Sequence, residues 1–264
     1  MSSRSIELSI GVGCPVKCPY CPQNVFLESY SGVKFLEAKN LQIILDNATF
    51  SLNPIEVFIS GFMEPLAVVE WPNLLEIIYH HDLVSEIIMF TTGYQMTSEI
   101  LNFLSKLPKI RLNFHINEFN APRLLSKIKE IVRLPNKVVF RGVGIAENEF
   151  DNIKEVLKMY GAKFIFQEIV SRAGNMPDLD FKLCNHNVSC CKVNTEKRPV
   201  ILPDGTALVC SNDYSCKMKI GNLITQKWGE LDFDRIAKLQ KNPQSNMPCF
   251  HGCHLANQDH IKIL

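Results

Sequence analysis

Six short apolar or β-branched runs, near residues 6–10, 55–60, 86–92, 110–116, 137–142 and 162–169, alternate with helical periodicity near 34–47, 72–80, 97–106, 121–133 and 149–160. This alternation constrains the fold more than any other feature. A helix between two strands carries the chain back to the starting edge, so successive strands pair in parallel through right-handed crossovers. Two helices carry start signals, Thr97-Ser98-Glu99 and Asn120-Ala121-Pro122. The chain is therefore expected to be of α/β class, with a parallel sheet.

The first strand runs directly into Cys14-Pro-Val-Lys-Cys18-Pro-Tyr20-Cys21, a Cys-x3-Cys-x2-Cys spacing. Three close thiolates suit an iron–sulfur cluster better than zinc. A structural zinc site closes with four ligands, whereas a cubane held by three cysteines leaves one iron open. A zinc knuckle or a redox dithiol is the alternative, since Cys-x2-Cys occurs in both. With the aromatic Tyr20 before the third cysteine, the motif resembles the signature of radical S-adenosylmethionine (radical SAM) enzymes. The resemblance implies a 4Fe–4S cluster on Cys14, Cys18 and Cys21, with SAM at the open iron. It also implies reductive cleavage of SAM to a 5'-deoxyadenosyl radical that takes a hydrogen atom from substrate.

Ser60-Gly61-Phe62-Met63-Glu64-Pro65-Leu66 follows the second strand and resembles the family's Gly-Gly-Glu-Pro stretch, which receives the SAM ammonium group. Met63 stands where a small residue is usual, which restricts the backbone there. Ile87 to Gly93, ending Thr91-Thr92-Gly93, resembles the third strand. Combined with the six β/α units, the resemblance implies a partial (β/α)6 TIM-like barrel whose site lies at the C-terminal ends of the strands. That edge would gather Cys14, Gly61, Thr92, Asn113, His115, Arg141 and Arg172. The residues expected to bind the cofactor are Tyr20, Gly61, Glu64, Pro65, Thr92, Asn113, His115 and Arg141. Asn113, His115 and Asn117 alternate along the fourth strand and so share a face; they either bind ligand or hydrogen-bond within the barrel mouth. Arg141 suits a carboxylate or ribose, and Ser171-Arg172-Ala173-Gly174-Asn175 after the sixth strand recurs in some family members.

Seven of the ten cysteines fall in the last 81 residues: Cys184, Cys190, Cys191, Cys210, Cys216, Cys249 and Cys253. Between them, Arg198 to Cys210 reads as a β-hairpin turning at Asp204-Gly205, and an amphipathic segment covers 232–241. The spacing from Cys191 through Gly205 to Cys210 resembles the opening of the auxiliary-cluster modules called SPASM and twitch domains. The later SPASM cysteine block is absent, which favours one auxiliary 4Fe–4S cluster, on Cys191, Cys210, Cys249 and Cys253. A zinc ribbon is the alternative, because four thiolates also suit tetrahedral zinc. The expected division is a radical SAM core over 1–182 and a twitch-like α+β cysteine-rich module, a hairpin plus a helix, over 183–264.

Composition sets outer limits. With 46% hydrophobic residues, 21% charged residues and a net charge of +1, the chain is an ordinary globular protein with no global electrostatic footprint for nucleic acid or anionic membrane. No apolar run spans a bilayer and no signal peptide opens the chain. A cytoplasmic, reducing location follows, in which cysteines ligate metal rather than pair.

The compact core-plus-twitch plan resembles that of the deoxy-scyllo-inosamine dehydrogenase, an alcohol-oxidising member of the family. Other features resemble family members associated with surface glycans. The expected substrate is therefore a small, carbohydrate-like molecule such as a sugar or aminocyclitol derivative, oxidised or epimerised. Cys184 and Cys216 are candidate hydrogen donors for an epimerase, and flavodoxin or ferredoxin is the expected reducing partner. The alternatives are radical modification of a ribosomally made peptide and a zinc-bearing, non-catalytic relative.

Overall fold

The computed structural model describes residues 4–18, 20–50, 53–117, 120–169, 175 and 198–235, together with the backbone of 261–263. Six parallel strands form the frame: β1 (Arg4–Leu8), β2 (Ile55–Ile59), β3 (Val84–Thr91), β4 (Ile110–Ile116), β5 (Val138–Gly144) and β6 (Lys163–Glu168). They lie side by side in sequence order, and β1 and β6 do not pair with each other, so the barrel is partial. The expected strands are all present, within a few residues at their ends.

The connecting helices are α1 (Gln23–Ser29), α2 (Ala38–Ala48), α3 (Trp71–His80), α4 (Ser98–Ser105), α5 (Ala121–Ser126), α6 (Ile128–Ile131) and α7 (Asp151–Met159). Four of them, α1, α2, α5 and α6, differ from the sequence reading. Helix α1 has no counterpart in it; Phe26 is its one fully buried residue, so its apolar face is too narrow to read by period. The expected helix from 34 starts instead at Ala38, because Lys34 to Leu36 lie antiparallel to Ile10 to Val12, with Val12 N–H donating to Lys34 O and Leu36 N–H to Ile10 O. The expected helix over 121–133 breaks at Lys127 into α5 and α6.

Each strand sends alternate residues outward to the helices. Ile6, Leu8, Val57, Ile59, Ile87, Met89, Leu112, Phe114, Ile116 and Phe140 pack there against Leu41, Ile44, Leu45, Leu74, Ile78, Leu104 and Leu124. Each fully buried aliphatic side chain of this layer contributes about 1.5–3 kcal/mol. The other row of strand residues faces the barrel interior, and it is markedly more polar.

The expected hairpin forms. β7 (Val200–Ile201) and β8 (Thr206–Leu208) are antiparallel and β9 (Lys219–Asn222) pairs with β8. Gly205 takes φ +80 in the turn, a conformation that favours glycine. The hairpin is not a separate sheet: β7 adds in parallel to the free edge of β1, and β10 (Ile261–Ile263) adds antiparallel to β6. Of the segment 232–241, residues beyond 235 lie outside the described residues.

Candidate active site

The cysteine loop leaves the C-terminal end of β1, and its nearest neighbour is the turn that leaves β2. Ser9 joins them: its hydroxyl donates to Gly11 O at 2.7 Å and accepts from Phe62 N–H at 3.0 Å. Gly61, at φ +90, makes this approach possible, since a Cβ there would stand 2.8 Å from Ser9 Cβ. Three residues on, Glu64 N–H donates to Cys14 Sγ at 3.2 Å.

The Glu64 side chain, buried in the opposite direction, binds the end of β3. One carboxylate oxygen accepts from the Thr91 hydroxyl and from Leu66 N–H, the other from Thr92 N–H and the Thr92 hydroxyl, both at 2.7 Å. Four hydrogen-bond donors among the described residues thus satisfy this buried side chain. Pro65 opens the short 3₁₀ turn Pro65–Ala67 that leads out of the site.

Met63 has an ordinary negative φ, so the turn does not require a glycine at that position. Its side chain is 9% exposed and joins the core, and its Cγ would lie 3.0 Å from a Cβ at Gly11.

Cys14 and Cys18 are half-buried and Cys21 is exposed. Burial pushes the Cys14 thiol up, and it pushes Cys18 up to about 11, with the neighbouring Cys21 adding to it. Thiols held this way stay protonated at neutral pH until a metal charge draws off the proton. The three thiols interact electrostatically with one another and, for Cys14 and Cys18, with Glu64, which places them around one spot. No three His, Cys, Asp or Glu among the described residues are set to hold a single metal ion. Three thiolates on separate irons of one cluster do not need to converge on one atom. The donor set therefore fits a cluster.

On β4, Asn113, His115 and Asn117 share the inward face, while Phe114 and Ile116 are fully buried on the helix side. His115 packs against Phe90 of β3, with ring centroids 5.4 Å apart, and lies beside Arg141 of β5 in register. Arg141 is half-buried; it donates to the neutral Gln167 at 3.3 Å, and among the described residues its Nε has no hydrogen-bond partner. Burial alone pushes its pKa down. A guanidinium so placed suits an anionic ligand group.

Tyr20 is buried, and its hydroxyl accepts from Asn117 Nδ2 at 3.0 Å. Asn120 also belongs to this corner, although the sequence marks it only as a helix start.

A second apolar cluster joins the cysteine loop to the hairpin: Val12, Phe26, Phe62, Val200, Leu202, Leu208, Tyr214 and Cys216. Phe26 stacks on Phe62 at 3.7 Å between centroids, and Tyr214 meets Phe62 edge-on at 5.3 Å. Cys216 is therefore in this seam and not on the inward face, and it adopts φ +52. Burial and Asp213 push its thiol up to about 11. Cys210 Sγ accepts from Asn212 N–H at 3.4 Å, and Asp213 fixes the following loop through Lys217 and Met218 N–H.

Cys184, Cys190, Cys191, Cys249, Cys253 and Arg172 lie outside the described residues. A surface cleft of about 850 Å³ between the C-terminal ends of α2 and α3, lined by Asp46, Phe50, His80 and His81, opens at the N-terminal edge of the sheet, opposite the cysteine loop.

No family profile matches the chain, and no curated protein matches it in sequence. Solved structures do match its fold. BtrN in complex with AdoMet and 2-DOIA aligns at a TM-score of 0.62 and 17% identity, over 91% of this chain and 88% of that one. Streptococcus suis SuiB bound to precursor peptide SuiA aligns at 0.71 and 13%, over 97% and 73%. Native anSMEcpe with bound AdoMet aligns at 0.66 and 15%, over 98% and 92%. All three are radical SAM enzymes, and theirs is the fold found here.

Proposed function

We propose that this chain, built on the radical SAM fold, is an enzyme that holds a 4Fe–4S cluster on Cys14, Cys18 and Cys21, binds SAM beside it, and oxidises or epimerises a small, carbohydrate-like substrate. The carrying observation is the junction at Glu64. Its N–H donates to Cys14 Sγ and its carboxylate binds Thr91 and Thr92, so cysteine loop, β2 turn and β3 end meet at one residue. When bound, the cluster and SAM supply a 5'-deoxyadenosyl radical; the protein supplies orientation and exclusion of water.

On this reading the backbone around Gly61 receives the SAM ammonium group, and Glu64 is the strut that aims it. Arg141 holds a carboxylate, and Asn113 and His115 line the mouth beside it. The core spans 1–182 and the module 183–264, with one auxiliary 4Fe–4S cluster on Cys191, Cys210, Cys249 and Cys253. The bond from Asn212 N–H to Cys210 Sγ supports the one described ligand of that set. An epimerase would draw its hydrogen from Cys184, since Cys216 packs in the seam. A low-potential flavodoxin or ferredoxin delivers the electron in the cytoplasm. No helix among the described residues is long and apolar enough to cross a membrane.

The test is anaerobic purification followed by dithionite and SAM. The expected outcome is brown protein with iron and formation of 5'-deoxyadenosine. Colourless protein holding zinc would instead establish the non-catalytic relative. Turnover in deuterated water separates the two reactions: an epimerase places deuterium at the inverted carbon, and a dehydrogenase releases a ketone.

Peptide modification is the second reading, favoured by the fold match to SuiB, which was solved with a precursor peptide. A leader-bearing small open reading frame beside the gene, whose product the enzyme alters, would select it.

A further inference from the structure

Asn120 stands at the N-cap of α5, where an asparagine ordinarily accepts a backbone N–H of the first turn, yet it makes no such bond. Its side chain is engaged elsewhere. Nδ2 donates to Thr92 O at 2.7 Å and to His115 O at 2.6 Å, and Oδ1 accepts from Asn117 N–H at 2.8 Å. In return, Asn120 N–H donates to Asn117 Oδ1 at 3.1 Å. Both amide hydrogens and the carbonyl are thus used. Asn117 Nδ2 then donates to the Tyr20 hydroxyl, one residue before Cys21. Asn117 and Asn120 are 5% and 4% exposed, so water does not compete for these bonds.

We infer that Asn120 is a positioning residue which, through Asn117, fastens the cysteine loop at Tyr20 to the ends of β3 and β4 and so sets the affinity of the site for SAM. The inference rests on the radical SAM reading above. The cluster needs only the cysteine loop. A ligand that spans loop and strand ends depends on their separation, and it bears the cost of ordering them when the tie is lost. The bonded set joins the three elements such a ligand would touch: the loop at Tyr20, β3 at Thr92 and β4 at His115. The Glu64 junction ties the loop to β3 from the other side, through Cys14, and does not reach β4.

The test uses the full chain, reconstituted without oxygen, as wild type, Tyr20→Phe, Asn120→Ala and Asn120→Asp. Four quantities are read: iron per chain, thermal midpoint, SAM dissociation constant by calorimetry, and the change in the EPR spectrum of the reduced protein on adding SAM. Tyr20→Phe, which removes only a hydroxyl, is expected to keep its iron and its midpoint but to bind SAM about threefold to tenfold more weakly, with a smaller EPR change. Asn120→Ala should weaken SAM further. Asn120→Asp should be at least as damaging, because it sets a carboxylate against two carbonyl oxygens. Wild-type SAM affinity in Tyr20→Phe would overturn the inference, as would a lowered midpoint with affinity unchanged in Asn120→Ala. Should Asn120→Ala fail to fold, Asn120→Asp, whose side chain has the same size, still decides, because the Tyr20 hydroxyl also bonds Cys18 and Tyr20→Phe removes both contacts. A wild type that holds no iron or binds no SAM removes the underlying reading instead, which is visible before any variant is compared.

Discussion

Glu64 and Thr92 form a two-point contact across neighbouring strand ends: the backbone N–H and the hydroxyl of Thr92 both donate to one carboxylate oxygen at 2.7 Å. A carboxylate accepts from all its neighbours, whereas an amide must offer hydrogens to some of them. Glu64→Gln is therefore expected to cost about 2–3 kcal/mol in urea unfolding and to abolish formation of 5'-deoxyadenosine. Wild-type stability in that variant would show that the junction does not hold the turn.

Met63 packs against Gly11 and joins the core. Met63→Ala should lose about 2–5 kcal/mol through the cavity left behind, measured by denaturant unfolding. It should not tighten SAM binding, because the backbone there already has an ordinary conformation.

Gly61→Ala meets two obstacles, a positive φ and the Ser9 side chain. The left-handed conformation costs about 1–2 kcal/mol, and the clash adds to it. Ser9→Gly in the same chain should relieve the clash but not the φ term. The double variant is thus expected to be more stable than Gly61→Ala by more than the sum of the single effects allows.

Arg141 carries a half-buried charge whose hydrogen bond, among the described residues, runs to a neutral amide. Replacing it with Met should leave the thermal midpoint unchanged or raised, while SAM affinity falls about tenfold or more through loss of a charge-assisted bond. Wild-type SAM affinity would assign Arg141 to substrate or to the fold.

Replacing Cys14, Cys18 and Cys21 together with alanine should leave iron of about four per chain, held by the auxiliary ligands. Loss of all iron, with zinc retained, would make the C-terminal module structural and the chemistry redox-neutral.

The barrel was legible because its signals are local: β-branched runs and helical periods survive whatever packs against them. The place of the cysteine loop at the end of β1 is legible because the three cysteines follow the first apolar run directly. Asn120 was not, since an Asn before Ala-Pro looks the same whether its amide caps a helix or reaches Thr92 and His115. Lys34 to Leu36 misled in a similar way: the run continues the α2 pattern, but a partner at Ile10 to Val12 outcompetes the helix. Such outcomes are decided by tertiary partners, which periodicity does not contain.

The parallel pairing of Glu7 and Leu8 with Val200 and Ile201 also bears on biosynthesis. During synthesis β1 keeps this edge bare until about 190 further residues have been made. Bare strand edges recruit other chains, and contacts so distant in sequence form slowly. Nascent or truncated protein ending before Val200 is thus the species most exposed to aggregation, and expression at low temperature with a co-produced holdase chaperone should raise the yield of full-length protein chiefly by protecting β1.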